Sequence, residues 1–264
     1  MKTKRSKLVS RAAVAAATLA LVLTCSLAAL SAPAPAALAQ AAPVRADARI
    51  KADVERQLAG LKLNPARVKV TVQDAVVTLS GLVDNVWLKR QAITRARKVE
   101  GVHSVVSDLS VRKAENDTTL AIQVGRQIRD SMFYTVFDEV EGSVREGVVF
   151  LEGRVTSPDK VARFEDDIAR IWGVRDVVNT LQALPASQSD DDIRWAIAIG
   201  IYGDLFFQDA ATQKYPPIHI IVERGHVTLT GFVRSTVERT KAEAAARSAF
   251  GVFSVTNKLR TNDR

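Results

Sequence analysis

One short pattern occurs three times in the sequence, and this repetition constrains the fold more than any other feature. The pattern V-x-L-x-G-x-V begins at Val77, at Val149 and at Val227. In each copy a second glycine follows the first after 20 positions and opens the pattern G-V-x-x-V-x-x-x-L. The six glycines are Gly81, Gly101, Gly153, Gly173, Gly231 and Gly251. Three matches with the same internal spacing predict three copies of one structural unit.

The residues around each pair of glycines predict the same order of elements. An apolar residue recurs at every fourth position upstream of each copy, which is typical of one face of a helix. These helical positions are Ile50, Val54 and Leu58, then Leu120, Val124 and Ile128, then Ile193, Ile197 and Ile201. Two stretches of alternating apolar residues follow and predict strands. A second helix and a short last strand complete each copy.

These elements predict an α+β fold resembling an α/β sandwich, with three tandem units of helix–strand–strand–helix–strand. Each unit should have a mixed three-stranded sheet with its helices on one face, because the crossover between parallel strands is right-handed. The first glycine of each copy is expected to allow a sharp turn from strand to helix or a close approach of helix and sheet. The second glycine is expected to end a helix in the left-handed conformation.

Residues 1–39 have the organisation of a secretory signal peptide. A basic start, an uncharged apolar segment at 12–30 and an A-x-A site predict cleavage between Ala39 and Gln40. Cleavage removes five basic residues and lowers the net charge from +8 to +3. Two alternatives remain: lipidation at Cys25, where Thr24 departs from the usual small residue, and retention of the apolar segment as an anchor.

The repeated V-x-L-x-G-x-V block, followed after a helix by G-V-x-x-V-x-x-x-L, resembles the BON domain of exported bacterial proteins. The resemblance covers three units, at 47–113, 117–184 and 190–264, after a linker at 40–46. It implies a small α/β fold, a periplasmic location and no catalysis. It also implies attachment to phospholipid membrane surfaces and a role in envelope maintenance or in protection from osmotic or envelope stress.

The motifs of common enzyme classes are absent from the sequence. It contains no glycine-rich phosphate loop, no H-E-x-x-H and no G-x-S-x-G. We therefore expect no catalytic residues, no cofactor and no metal. The small net charge after cleavage, together with the export signal, also argues against nucleic acid as a partner.

The second helix of the first unit has a basic outer face that includes a tryptophan. Trp87, Arg90, Arg97 and Lys98 fall on the side opposite the apolar positions. A tryptophan with several cations is typical of a surface that meets anionic lipid headgroups. An ordinary solvated helix face is the alternative. Because the first unit is basic and the second is acidic, the first unit could also dock on the second.

The first helix of the third unit is apolar on two sides. Beside its core positions, which include Leu205, a second stripe consists of Trp195, Ile199, Tyr202 and Phe206. A helix with two apolar faces must bury both. This stripe therefore predicts either docking on a neighbouring unit or partner protein, or contact with a membrane. The hypotheses are an anionic phospholipid surface as partner or, alternatively, an envelope scaffold that binds proteins or itself. Trp172 is expected in the core.

Overall fold

The computed structural model describes residues 36–64, 66–113 and 116–261, and these form three successive units, each with its own sheet. The elements of the first unit are α1 (Ala36–Ala59), β1 (Val68–Gln73), β2 (Val76–Val83), α2 (Val86–Arg97) and β3 (Ser104–Val111). Those of the second are α3 (Asp117–Asp130), β4 (Glu139–Arg145), β5 (Val148–Val155), α4 (Pro158–Ala169), β6 (Asp176–Asn179) and β7 (Gln182–Ala183).

The third unit has the same order with an added connection. Its elements are α5 (Gln188–Tyr202), a 3-10 helix (Leu205–Phe207), α6 (Gln208–Ala211), β8 (Ile218–Glu223), β9 (His226–Val233), α7 (Thr236–Ser248), β10 (Ser254–Asn257) and β11 (Arg260–Thr261). The predicted α+β fold with repeated helix–strand–strand–helix–strand units is therefore confirmed.

Each sheet is mixed, with one antiparallel and one parallel pairing. β1 runs antiparallel to β2, and β2 runs parallel to β3. In the second and third units the last strand is broken into two pieces, β6 with β7 and β10 with β11, which both pair parallel to the central strand. The break follows Asn179 or Asn257, whose side-chain oxygen accepts the N–H group two residues later.

Each unit has one hydrophobic core, formed by its two long helices and one face of its sheet. The first core joins the helical residues Ile50, Val54, Leu58, Ala92 and Ala96 to the strand residues Val70, Val77, Leu79, Val83 and Leu109. Complete burial of one such aliphatic side chain contributes about 1.5–3 kcal/mol relative to exposure. The alternating burial along the strands explains why both helices lie on the same face.

The first glycine of each repeat lies inside the central strand, not at the turn that follows it. Gly81, Gly153 and Gly231 have φ of +124°, +128° and +107°. A Cβ atom at these positions would lie 1.9–2.0 Å from a carbonyl oxygen of the chain at the neighbouring strand. Glycine is required there because the backbones approach closely in a conformation that other residues avoid.

The second glycine of each repeat has the same conformation in all three units. Gly101, Gly173 and Gly251 each have φ of +85°, in the left-handed region. They lie a few residues beyond the helix end, since α2 ends at Arg97 and α7 at Ser248. The glycine therefore turns the loop back toward the sheet, and we call residues 98–103, 170–175 and 248–253 the glycine loops.

An aspartate at the start of each unit holds the turn of the following hairpin. Asp47, Asp117 and Asp190 each accept two backbone N–H groups from the turn between the first two strands, at distances of 2.6–2.9 Å. Each aspartate precedes the first core residue of its helix by three positions. The contact fixes the hairpin against the first helix of its unit.

The amino-terminal helix begins earlier than expected. α1 starts at Ala36, so the residues predicted as a linker, 40–46, are helical. Ala39 and Gln40, the predicted cleavage site, lie within this helix. Cys25 and the apolar segment at 12–30 lie outside the described residues. Among the helices that are described, none combines the length and hydropathy needed to cross a bilayer.

Candidate docking and membrane-facing surfaces

The start of α2 lies against the second unit. Asn85 caps this helix by accepting the N–H of Leu88 at 2.9 Å, and its side-chain amide donates to the carbonyl of Arg170 at 2.8 Å. The N–H of Val86 donates to the carbonyl of Val174, and the N–H of Gly173 donates to the carbonyl of Asp84, both at 2.9 Å. The N-terminus of α2 thus pairs, backbone to backbone, with the glycine loop of the second unit.

Side chains extend this junction between the first and second units. Arg90 contacts Glu165 at 2.6 Å and Asp176 at 3.0 Å. Partial burial disfavours the charged guanidinium, but the two acidic partners outweigh burial and raise the pKa of Arg90. The guanidinium of Arg170 lies 3.9 Å from the centroid of the Trp87 ring. The basic first unit therefore meets the acidic second unit here, which is one of the alternatives that the sequence left open.

The four residues of the basic face predicted from the sequence lie in two different environments. Trp87 is half-buried and packs against the cores of both units. Together with Arg90 it belongs to the junction. Arg97 and Lys98, toward the end of α2, are exposed to solvent. Of the four residues predicted on this face, these two are the cations that remain available to an external anionic surface.

The outer stripe of α5 is largely exposed. Trp195 is 61% exposed and Ile199 is 70% exposed, and Phe206, in the 3-10 helix that follows α5, is 39% exposed. Trp195 makes an edge-on contact with Phe137 of the second unit, at 5.1 Å between ring centroids. Tyr202 is half-buried, donates its hydroxyl hydrogen to the carbonyl of Ile218 and packs on the core of the third unit. Burial raises the pKa of Tyr202 well above its ordinary value.

Two residues that were predicted in the core, Leu205 and Trp172, are exposed. Leu205 is 84% exposed, and Phe207 occupies the core in its place. The reason is that α5 ends at Tyr202 and a 3-10 turn follows, which shifts the phase of the apolar pattern. Trp172 is also exposed, because α4 ends at Ala169 and the tryptophan falls in the glycine loop, where Arg112 lies 5.8 Å from its ring centroid.

The second and third units meet along strand β8. The N–H of Ile220 donates to the carbonyl of Val136 at 2.7 Å, so one backbone hydrogen bond joins this edge strand to the second unit. Beside it, the rings of Tyr134 and His219 lie 5.2 Å apart between centroids. A cleft of about 1050 Å³ opens between the two sheets next to these rings.

The cleft between the second and third units is closed at one side by charged contacts. The ammonium group of Lys214 lies 3.0 Å from the carboxylate of Asp130, and the hydroxyl of Tyr215 also donates to that carboxylate. Within the described part of the chain, no three His, Cys, Asp or Glu side chains are grouped as a metal site would require.

The repeated units match a known family model over most of the chain. The model of the BON domain matches residues 46–113, 116–185 and 206–263. The chain belongs to the BON domain family. The third match starts inside the 3-10 helix, although α5 supplies the first helix of that unit in the structure. The resemblance seen in the sequence is therefore confirmed as three tandem BON domains.

One curated relative is Osmotically-inducible protein Y of Escherichia coli (strain K12). It is 32% identical over 124 residues, which cover 44% of this chain and 61% of that protein. The matched region thus spans less than two thirds of the relative's own length.

Two solved structures show low overall similarity to this chain. The C-terminal domain of CdsD, a structural protein of the type III secretion system of Chlamydia trachomatis, is 14% identical with a TM-score of 0.24, and the alignment covers 80% of this chain and 96% of that one. The periplasmic domain of PrgH from S. typhimurium is 12% identical with a TM-score of 0.21, covering 75% and 96%. Scores of this size do not establish a shared overall arrangement.

Proposed function

We propose that this protein is a non-enzymatic periplasmic protein that binds anionic phospholipid surfaces and acts in envelope maintenance or in osmotic or envelope stress. Membership of the BON family and the similarity to an osmotically inducible protein support the stress role. The predicted signal peptide supports export. The observation that carries lipid binding is an exposed apolar surface, formed by Trp195 and Ile199 of α5 and by Phe206 of the 3-10 helix that follows it; we call it the α5 surface.

Comparison of the three repeats supports a special role for this surface. The positions equivalent to Ile199 are Arg56 in α1 and Arg126 in α3, and both are exposed. The third unit therefore carries an apolar side chain where the other units carry a cation. An aromatic ring beside exposed aliphatic side chains is suited to the boundary between headgroups and acyl chains. Lys241, 4.7 Å from the ring centroid of Phe206, adds a cation that an anionic lipid would attract.

The exposed end of α2 adds a second, purely electrostatic element. Arg97 and Lys98 are free to approach anionic headgroups, and each such cation contributes about 1 kcal/mol near a charged membrane surface. Arg90 contributes less, since its charge is already paired with Glu165 and Asp176. The α5 surface supplies the attachment and the basic residues supply the preference for anionic lipid.

Co-sedimentation with vesicles tests this proposal. Purified protein is mixed with vesicles of phosphatidylcholine alone or with added phosphatidylglycerol, each at low and high salt. Trp195→Glu and Ile199→Glu should each reduce binding at least several-fold. The matched control is Ile122→Glu, since Ile122 occupies in α3 the position of Trp195 and is also exposed. The Arg97→Glu, Lys98→Glu double variant should reduce binding to anionic vesicles at low salt only.

The second candidate function is that of a protein-binding scaffold in the envelope. It is favoured by the edge-on contact of Trp195 with Phe137, which shows that the α5 surface already accepts an aromatic ring from another unit. Under this alternative the unmodified protein binds neither kind of vesicle. Equal binding by the wild type and both α5 variants would also contradict the lipid proposal.

A further inference from the structure

The junction between the first and second units has two complementary halves. One half is the segment Asp84–Trp87 at the start of α2, which offers the carbonyl of Asp84 and, two residues later, the N–H group of Val86. The other half is the glycine loop of the second unit, where the N–H of Gly173 donates to the first group and the carbonyl of Val174 accepts from the second. Both Gly173 and Val174 are buried by this contact. The equivalent residues of the other two units are exposed or half-buried.

The third unit presents the first half without a partner. Ser235, at the position of Asn85, has φ of −150° and ψ of 163°, against −157° and 168° for Asn85. Within the described residues, the carbonyl of Arg234 and the N–H of Thr236 make no hydrogen bond. Val237 takes the position of Trp87 and is exposed. The segment Arg234–Val237 is therefore preformed for the contact that Asp84–Trp87 makes.

The third unit also presents the second half without a partner. Gly251 has the φ of Gly173, +85°, so the two glycine loops share this turn. Among the residues that the structure describes, the N–H of Gly251 and the carbonyl of Val252 have no hydrogen-bond partner. Phe250 is 98% exposed and Phe253 is 81% exposed. Two such rings on one loop form an apolar patch of the kind that usually marks an interaction surface.

The other units lack one half or the other. In the second unit Pro158 stands at the position of Val86 and has no N–H group to donate. This explains why the second unit does not dock on the third in the way that the first docks on the second. The glycine loop of the first unit carries Glu100 where the third carries Phe250. The third unit alone combines a complete donor segment with an apolar glycine loop.

We propose that the third unit is a self-association surface, in which the segment Arg234–Val237 of one copy docks on the glycine loop, residues 248–253, of a second copy. The contact repeats the junction between the first and second units across two chains. Ser235 lacks the side-chain amide with which Asn85 makes a further hydrogen bond, and two separate chains lack the high effective concentration of a tether. The association is therefore weaker than the internal junction and depends on protein concentration.

The geometry of this contact is head-to-tail. Each copy uses one half and leaves the other half free, so a third copy can add to either end. The protein is thus expected to form a distribution of oligomers that grows with concentration, not a closed dimer. This surface is separate from the lipid-binding residues of α5, and the two proposals fail independently.

Sedimentation velocity of the purified protein over a roughly hundredfold range of concentration tests the proposal through mass action. Thr236→Pro removes the N–H donor by copying Pro158, and proline is well accepted at the first position of a helix. It should weaken association up to about tenfold, which corresponds to the loss of one hydrogen bond. Phe250→Glu, which copies Glu100, should abolish association. Met132→Glu changes an equally exposed apolar residue outside both halves and should have no effect.

Mixing the two variants distinguishes this contact from other kinds of association. The Thr236→Pro chain keeps an intact glycine loop, and the Phe250→Glu chain keeps an intact donor segment. Together they should form a one-to-one complex with the wild-type affinity, and growth beyond that complex should be up to about tenfold weaker than in the wild type. A wild-type protein that stays monomeric throughout, or association that is unchanged by Phe250→Glu, would overturn the proposal. A mixture that forms no heterodimer would overturn the head-to-tail contact.

Discussion

Asp190 holds Gly225 in place: its carboxylate accepts the N–H of this glycine at 2.8 Å, and the N–H of Arg224 at the same distance. The carboxylate comes from the start of α5 and the two N–H groups from the turn between β8 and β9. Asp190 is almost completely buried. Because the same contact occurs at Asp47 and Asp117, it is part of how each unit joins its first helix to its hairpin.

Replacement of this carboxylate should destabilise the third unit. Asp190→Ala leaves the N–H of Gly225 buried without an acceptor, which costs about 1–3 kcal/mol of unfolding free energy. Urea denaturation followed by circular dichroism measures the loss. Asp192→Ala, an exposed residue of the same helix turn, is the control and should change the stability by less than about 0.5 kcal/mol. Equal effects of the two variants would contradict the assignment.

The buried carboxylate of Asp138 should depend on Lys160. Asp138 is fully buried and accepts hydrogen bonds from Thr135 and Thr156, and the ammonium of Lys160 lies 2.6 Å away. Lys160→Met leaves this buried charge without its counterion and should cost about 3 kcal/mol. The double variant Lys160→Met, Asp138→Asn should recover part of this loss. If Lys160→Met alone is neutral in chemical denaturation, the pair does not stabilise the fold.

The stability of the folded protein should fall as the pH is lowered through the titration range of histidine. Burial lowers the pKa of His219 below its ordinary value of 6.5, although the charges of Asp138 and Glu139 partly oppose this. Below about pH 6.5 the unfolded chain therefore binds a proton that the folded chain does not, and unfolding becomes more favourable. Melting temperatures measured from pH 7.5 to 5.5 should show a weaker pH dependence in His219→Gln. An unchanged slope would exclude this histidine as the cause.

The ion pair between Arg90 and Glu165 should contribute modestly to the junction. Both side chains are about a third exposed, so solvent screens their attraction. A double-mutant cycle with Arg90→Ala and Glu165→Ala should give a coupling free energy of about 0.5–1 kcal/mol. A control cycle with Arg97→Ala and Glu165→Ala should give no coupling, since Arg97 is exposed on a later turn of α2. A coupling of equal size in both cycles would show that the contact is not specific.

The fold was largely predictable because the same pattern of apolar residues and glycines occurs in three copies. A position that is apolar in all three copies, such as Val77, Val149 and Val227, is identified as a core position even where one copy has an unusual residue nearby. The aspartates that hold the hairpins were also within reach of sequence reasoning, since each lies three residues before the first core residue of its unit. Asp117 and Asp190 lie in the first turn of their helices, where the helix dipole alone favours an acidic residue, so their position does not by itself indicate the contact with the hairpin.

The surfaces were less predictable, because a helical pattern shows which side of a helix is polar but not what lies against it. Arg90 and Arg97 fall on one face of α2, yet only the first meets the second unit. The sequence left both outcomes open. The positions of Leu205 and Trp172 depended on where α5 and α4 end, and helix ends are set by contacts that periodicity does not contain.

Val86 belongs by sequence to the first unit, but its side chain is buried in the core of the second. When the first unit unfolds and α2 unwinds, that core must lose one of its own members. The two units therefore share part of their unfolding free energy, and the limits of cooperative unfolding do not coincide with the limits of the repeats. The first two BON domains are therefore expected to unfold as one cooperative block.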